Sequence, residues 1–330
     1  MTAPADGQVG PLEFRQVLAP VVDAVREMTA AILTMPERHH HQPAADSRAM
    51  AELAAEQQRY RSWTSWDAPL TDTHTFGGIT LLAACDYANA FAALFDSDHP
   101  PVYSHLVLAR AAMEASVIAE WLNEPAVEPL SRIQRGLTER LYSSIEQQRI
   151  PPIREAGRQL EREMRAVSER FGWEVSSRRA NKLTVGGVGR PSIPLRMSEL
   201  IVHDADRQLG KVEWSYLSSI VHVTWYGLRQ SIDPPVVRSD LAPSLAGIGT
   251  SGSAVSAHAL CLLRLLRAAA RARHTLMGWH SDDWSAAESQ AIDLDEAIVG
   301  SIRRDQEGEI DDASFAAATL PQPPPVKERG

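Results

Sequence analysis

Four polar side chains recur at helical spacing within the stretch Trp214 to Gly227: Ser215, Ser218, His222 and Tyr226. At 100° per residue they fall within about 80° of one another, beside the apolar stripe Trp214, Leu217, Val221 and Leu228. A hydroxyl one turn before an imidazole and a phenol one turn after it can hold either ring nitrogen and so fix the tautomer. Proton transfer and oriented ligand binding both require that. A core histidine satisfied by its neighbours fits the same pattern, so His222 is the foremost candidate while its chemistry stays open.

Arg110 and Glu114 lie one turn apart on a face that also carries Leu106, Met113, Val117 and Trp121. Charges inside an apolar stripe are first explained by a buried, satisfied ion pair. The alternative is that Arg110, oriented by Glu114, offers its fork to an anionic group. Arg132, Arg135, Glu139, Tyr142 and Glu146 share another face, with Leu130, Leu137, Leu141 and Ile145 opposite. A solvated face with i, i+4 pairs accounts for this, and it joins a site only if its helix is covered on both sides. Arg264, Arg267, Arg271 and His274 form a basic stripe toward a helix C-terminus, where cations are favourable without any ligand.

His39, His40 and His41 are consecutive in a Pro-flanked stretch without a Cys or carboxylate framework, which predicts a surface loop and no metal site. TVGGVGRPS lacks both the Gly-Lys-Ser/Thr ending of a phosphate loop and the GxGxxG turn. GxSxG, HExxH and CxxC are absent as well, so no cofactor is expected and the common hydrolase, zinc-protease and redox readings lack their usual motifs.

These groups need helices to hold them. Phe14, Val17, Val21, Val25, Met28 and Ile32 predict a first amphipathic helix over 11–34, stopped by Pro36. A polar helix follows near 46–60, then a small, apolar one over 75–96, capped by Asp72 or Thr73 and central to a bundle. Further helices are predicted at 101–123, at 128–171 with a division at Pro151 and Pro152, and at 195–207, 211–230 and 251–279. Residues 176–194 read as a loop or short hairpin, and the proline-rich residues 310–330 as a disordered tail. The expectation is an all-α multi-helix bundle of eight to ten helices over residues 1–300, either one unit or two merged sub-bundles with a break near 176–194.

Hydrophobic residues at 44% and charged residues at 23% suit a soluble globular protein, and a net charge of −9 repels phosphate backbones, against non-specific DNA binding. Of the 33 basic residues 30 are Arg, which a GC-rich coding bias explains as well as anion recognition does. Cys85 and Cys261 sit among apolar residues, as buried thiols of a reducing cytosol do. The start MTAPADGQVGPLEF lacks a leader pattern, and the longest uncharged run, Leu241 to Leu263, holds Pro243 and His258. A cytoplasmic protein that does not cross a membrane is expected.

The order of an Arg-x-x-x-Glu helix (Arg110, Glu114) and a Ser-x-x-x-His helix (Ser218, His222) resembles uncharacterised bacterial helical proteins related to HEPN domains, over residues 75–230. HEPN ribonucleases cut RNA at a dimer interface with an Arg-x4–6-His motif and no metal. Arg196 with His203, Arg267 with His274, and Arg273 with His280 have that spacing, whereas His222 has no such Arg. The convergence of Arg110, Glu114, Ser218, His222 and Tyr226, set beside this resemblance, leads to the expectation of a HEPN-like binding protein whose polar pocket takes a small anionic or nucleotide-like ligand or an RNA end. One alternative is a metal-independent ribonuclease of a toxin or defence system, working as a homodimer with His203 or His274 as acid and base. Another is a scaffolding protein without a ligand.

Overall fold

The apolar spacing at the start of the chain makes α1 (Pro11–Arg38), which buries Val21, Val25, Met28, Ile32 and Met35. In this computed structural model residues 11–59, 66, 68–96, 103–176, 183–201, 209–222 and 252–308 are described. Contrary to expectation α1 runs through Pro36. It ends in a Schellman closure: the His41 N–H donates to Pro36 O at 2.6 Å and the His40 N–H to Glu37 O at 3.0 Å. His40 and His41 take φ of 51° and 58°, so a loop of histidines does what glycine usually does at a helix end.

After α2 (Arg48–Arg59), α3 (Pro69–Ala93) begins six residues earlier than its apolar pattern predicts, and neither Asp72 nor Thr73 caps it. The cap comes from α2. The buried Glu56 carboxylate accepts from the N–H groups of Leu70 and Thr71 and from the Thr71 hydroxyl. An anion thus meets the positive end of the helix dipole and fills its orphan donors.

The bundle continues with α4 (Ser104–Asn123), α5 (Pro129–Gln148), a short 3-10 turn at Pro151–Ile153 that makes the predicted break, and α6 (Arg154–Arg170). Three two-residue strands follow: β1 (Val175–Ser176), β2 (Thr184–Val185) and β3 (Val188–Gly189), antiparallel in the order β1-β2-β3. Val175 pairs with Val185 and Thr184 with Gly189. Gly186 and Gly187, at φ of 55° and 82°, form the two-residue turn whose twist matches a hairpin. The hairpin lies on α5, where Leu183 and Val185 join Ile133, Leu137 and Leu141 and Met164 and Val167 of α6 in one core cluster.

Four helices complete the described residues: α7 (Ile193–Ile201), α8 (Leu209–Val221), α9 (Gly252–Met277) and α10 (Asp282–Gly308). Ten α-helices and a minor sheet among the described residues make this an all-α multi-helix bundle. The chain divides into two compact units, Met1–Ala291 and Ile292–Gly330. Residues 310–330 lie outside the described residues.

Within the first unit α4 packs on α3, α7, α8 and α9, and α3 also meets α1, α2, α5 and α9. α3 is nevertheless not enclosed, because Phe76, Ile79, Leu82 and Tyr87 stay exposed along it. With its 3-10 extension, Pro69–Asp96 is the one described helix long and apolar enough to cross a bilayer, at a mean hydropathy of 1.4. Cys85 and Cys261 are both buried and are not joined in a disulfide, and burial pushes the Cys85 thiol up to about 12.

Candidate functional site

α4 has a closed half and an open half. Residues 116–123 are all buried, and the carbonyls that end the helix are taken by guanidinium groups of α5. Arg132, fully buried, donates to Leu122 O at 2.7 Å and Glu124 O at 2.9 Å, and its Nε donates to Glu52 Oε2 at 2.8 Å. Arg135 donates to Trp121 O and to the Glu124 carboxylate. Cations at a helix C-terminus meet its negative end, and here the Arg132–Glu52 pair is buried while Arg135 and Glu124 are part-buried.

Around Glu52 the pairing continues. Burial works to raise its carboxyl, but His74, Arg132 and Arg48 together hold it below the usual range. His74 Nε2 sits 3.1 Å from Glu52 Oε2 without hydrogen-bond alignment, and burial, reinforced by Arg132 and Arg273, lowers its pKa. Arg273 of α9 donates to His74 O at 2.8 Å and Asn123 Oδ1 at 3.1 Å, and burial beside Arg132 brings it down to about 10. The face of α5 expected to be solvated is therefore buried at Arg132 and Glu139, because Glu52 of α2 and the end of α4 close over Arg132 and Arg190 closes over Glu139.

A second row of ion pairs links α4 and α5 to the segment after the hairpin. Glu139 receives Arg190 at 2.7 Å, Arg190 stacks over Tyr142, and Glu120 takes both prongs of Arg196 at 2.9 and 2.7 Å. Burial raises both carboxyls despite these partners, with the Glu114 charge adding to the effect at Glu139.

The open half of α4 differs. Arg110, part-buried, lays its guanidinium over the Trp214 ring at 4.5 Å, joining α4 to α8. Its Nε is buried without an acceptor, and among the described residues it forms no ion pair. The expected bond to Glu114 is not made, although both are part-buried and one turn apart. With Arg N-terminal to Glu, the i, i+4 order is the weaker one, and stacking on the indole draws the guanidinium away.

The sequence candidates on α8 divide. Trp214 meets Arg110, Ser218 is part-buried one turn on, and Ser215 and His222 are exposed. His222 lies eight residues beyond Trp214, about 12 Å along a helix axis. Tyr226, Leu228 and His203 lie outside the described residues. The opposite face of α8 holds a pair that the spacing did not reveal: Glu213 Oε1 contacts His258 Nδ1 of α9, both buried, with Tyr216 stacked on the imidazole at 5.5 Å. The two are 45 residues apart, so no local pattern shows them together.

His274 is buried edge-on against Trp284 at 4.6 Å, its Nδ1 without a partner. Burial, with the charges of Arg273, His39 and His280, lowers it to about 3, so at neutral pH the imidazole is uncharged. Of the remaining Arg/His spacings, Arg196 is held by Glu120, and Arg273 by His74 O and Asn123. No three His, Cys, Asp or Glu side chains gather as a metal would require among the described residues.

Compared with known proteins, the chain matches no family model, no curated protein and no solved structure. Its site therefore has to be argued from the side chains alone. By that measure Arg110 on Trp214 stands apart, since the buried arginine of α5 and the paired ones after the hairpin already have their anions.

Proposed function

We propose that this chain is a HEPN-like, cytosolic binding protein that takes a small anionic or nucleotide-like ligand where α4 meets α8. One observation carries the reading: among the described residues a part-buried guanidinium stacked on an indole leaves its Nε without an acceptor, whereas Arg132, Arg190 and Arg196 are held by carboxylates. A stacked arginine has lost part of its freedom already, so a phosphate or carboxylate would gain a bidentate contact at reduced entropic cost. Glu114 shapes selectivity by repelling a second negative group. A ligand reaching from Arg110 past Ser218 to His222 must span about 12 Å, the reach of a mononucleotide rather than of a bare ion.

The test is calorimetric titration with inorganic phosphate, citrate and nucleoside monophosphates, for wild type and for Arg110→Gln and Arg110→Lys. Losing a charge-assisted bond of about 1.5–3 kcal/mol raises Kd at least about tenfold in Arg110→Gln. Arg110→Lys binds less tightly than wild type because it keeps the charge but not the fork. Wild type that binds none of these anions, or binding that survives Arg110→Gln, overturns the proposal.

A further inference from the structure

α3 carries an apolar face that its own bundle leaves open. Phe76, Ile79, Leu82 and Tyr87 are 36%, 56%, 44% and 40% exposed, and Ala83, Asp86 and Ala90 lie on the same side. At 100° per residue these positions span about 140° of the helix and about 21 Å of its length. Scattered surface leucines need no explanation, but a continuous stripe of large apolar groups on one helix marks a contact surface.

The two ends of this stripe are complementary to each other. At the N-terminal end a groove of about 180 Å³ opens between Trp66, Thr75, Phe76, Ile79, Gly136 and Arg140. At its floor Gly136 lets Thr73 of α3 lie directly against α5. Arg140, on the rim, stacks on Trp66 at 4.9 Å and donates to Asp72 at 2.9 Å, yet its side chain is 40% exposed, which leaves donors facing solvent. At the C-terminal end the exposed Tyr87 supplies a ring, and Asp86 beside it makes no ion pair among the described residues.

From this the geometry points to a homodimer in which two copies of α3 pack antiparallel about a twofold axis at the level of the inward-facing Leu81, each inserting Tyr87 into the groove of the other. Leu81 is equidistant from the two ends, because 87 − 81 and 81 − 75 are both six residues, about 9 Å of helix on either side. Tyr87 of one copy then faces Thr75 of the other, and Asp86 faces the rim where Arg140 sits. The contact is isologous, so one knob, one groove and one charge pair are each used twice. A bilayer offers no counterpart to the groove or to Asp86, which favours a second copy as the occupant. A standard interface covers about 800 Å² per partner, and one helix face with its rim provides less, so the dimer belongs to the weak, micromolar class.

Sedimentation equilibrium of the full chain over a micromolar concentration series reads the dimer directly. Wild type is expected to be a concentration-dependent dimer. Leu82→Glu, near the axis, raises the dissociation constant at least about a hundredfold, because it buries two unpaired carboxylates. Tyr87→Ala raises it about tenfold and decides the matter if the first variant shows lost helicity by circular dichroism. Three results overturn the proposal: wild type monomeric throughout, a dimer indifferent to both changes, or co-sedimentation of wild type with lipid vesicles that Leu82→Glu abolishes while the protein stays monomeric.

Discussion

The two halves of α4 meet an arginine in opposite conditions, one from α5 and one of its own. At its C-terminal end Arg132 spends its guanidinium on Glu52 and on carbonyls that the helix leaves unpaired, so the charge closes the structure. At its N-terminal half Arg110 rests on Trp214 with its Nε buried and unmatched. Burial alone does not separate a structural arginine from a binding one. What separates them is whether the surrounding backbone and carboxylates already use the donors.

The most direct way to break this contrast is Arg132→Met. It keeps the volume but strips the buried Glu52 carboxylate and the α4 carbonyls of their partner, and is expected to cost about 3–5 kcal/mol in urea unfolding. A loss near that of an ordinary surface change would show that the closed end is not closed. Gly136→Ala comes next. A Cβ there would sit 2.0 Å from Thr73 Oγ1, where α5 lies against α3 one turn beyond Arg132. The overpacking costs about 1–3 kcal/mol, and Thr73→Ala in the same chain recovers most of it, which the double-mutant cycle reads.

His274 sharpens the contrast through pH. Its folded pKa of about 3 lies below the ordinary 6.5. Above pH 6.5 both folded and unfolded chains hold it neutral, and its stabilising share is complete. As the pH falls from 6.5 toward 3 the unfolded chain takes up a proton that the folded chain refuses, so stability declines by up to about 1.4 kcal/mol per pH unit from this group. His74, lowered in the same direction, adds to the trend. His274→Phe keeps the edge-on contact with Trp284 and flattens the stability–pH curve by one proton's slope between pH 6 and 4, seen in denaturant unfolding at each pH. The smallest effect belongs to Arg110→Gln, which loses only a cation–π contact of about 0.5–1 kcal/mol in stability while ligand binding falls.

Much of the fold was readable along the chain, and the failures share a cause. The amphipathic spacing of α1, the break at Pro151 and a short hairpin within 176–194 are local matters of period and turn residues, and they stand where the pattern puts them. The start of α3 was missed because its cap is Glu56, on another helix. The face of α5 was read as solvated because nothing along α5 announces that Glu52, the end of α4 and Arg190 will close over it. Of the candidate site, the sequence marked Arg110, Glu114 and the Trp214 stretch, yet paired Arg110 with Glu114 where the folded chain stacks it on the indole.

The sequence by itself determined the helices, the buried thiols and the presence of charged residues on apolar faces, since period, composition and turn residues act within a few positions of one another. Tertiary structure decided what those charges do. It gave Arg132 its anion, left Arg110 without one, set Glu213 against His258 and left the face of α3 uncovered. Such pairings depend on which helices meet and in what register, and the free energy of a buried charge is set by the groups around it rather than by its neighbours in the chain.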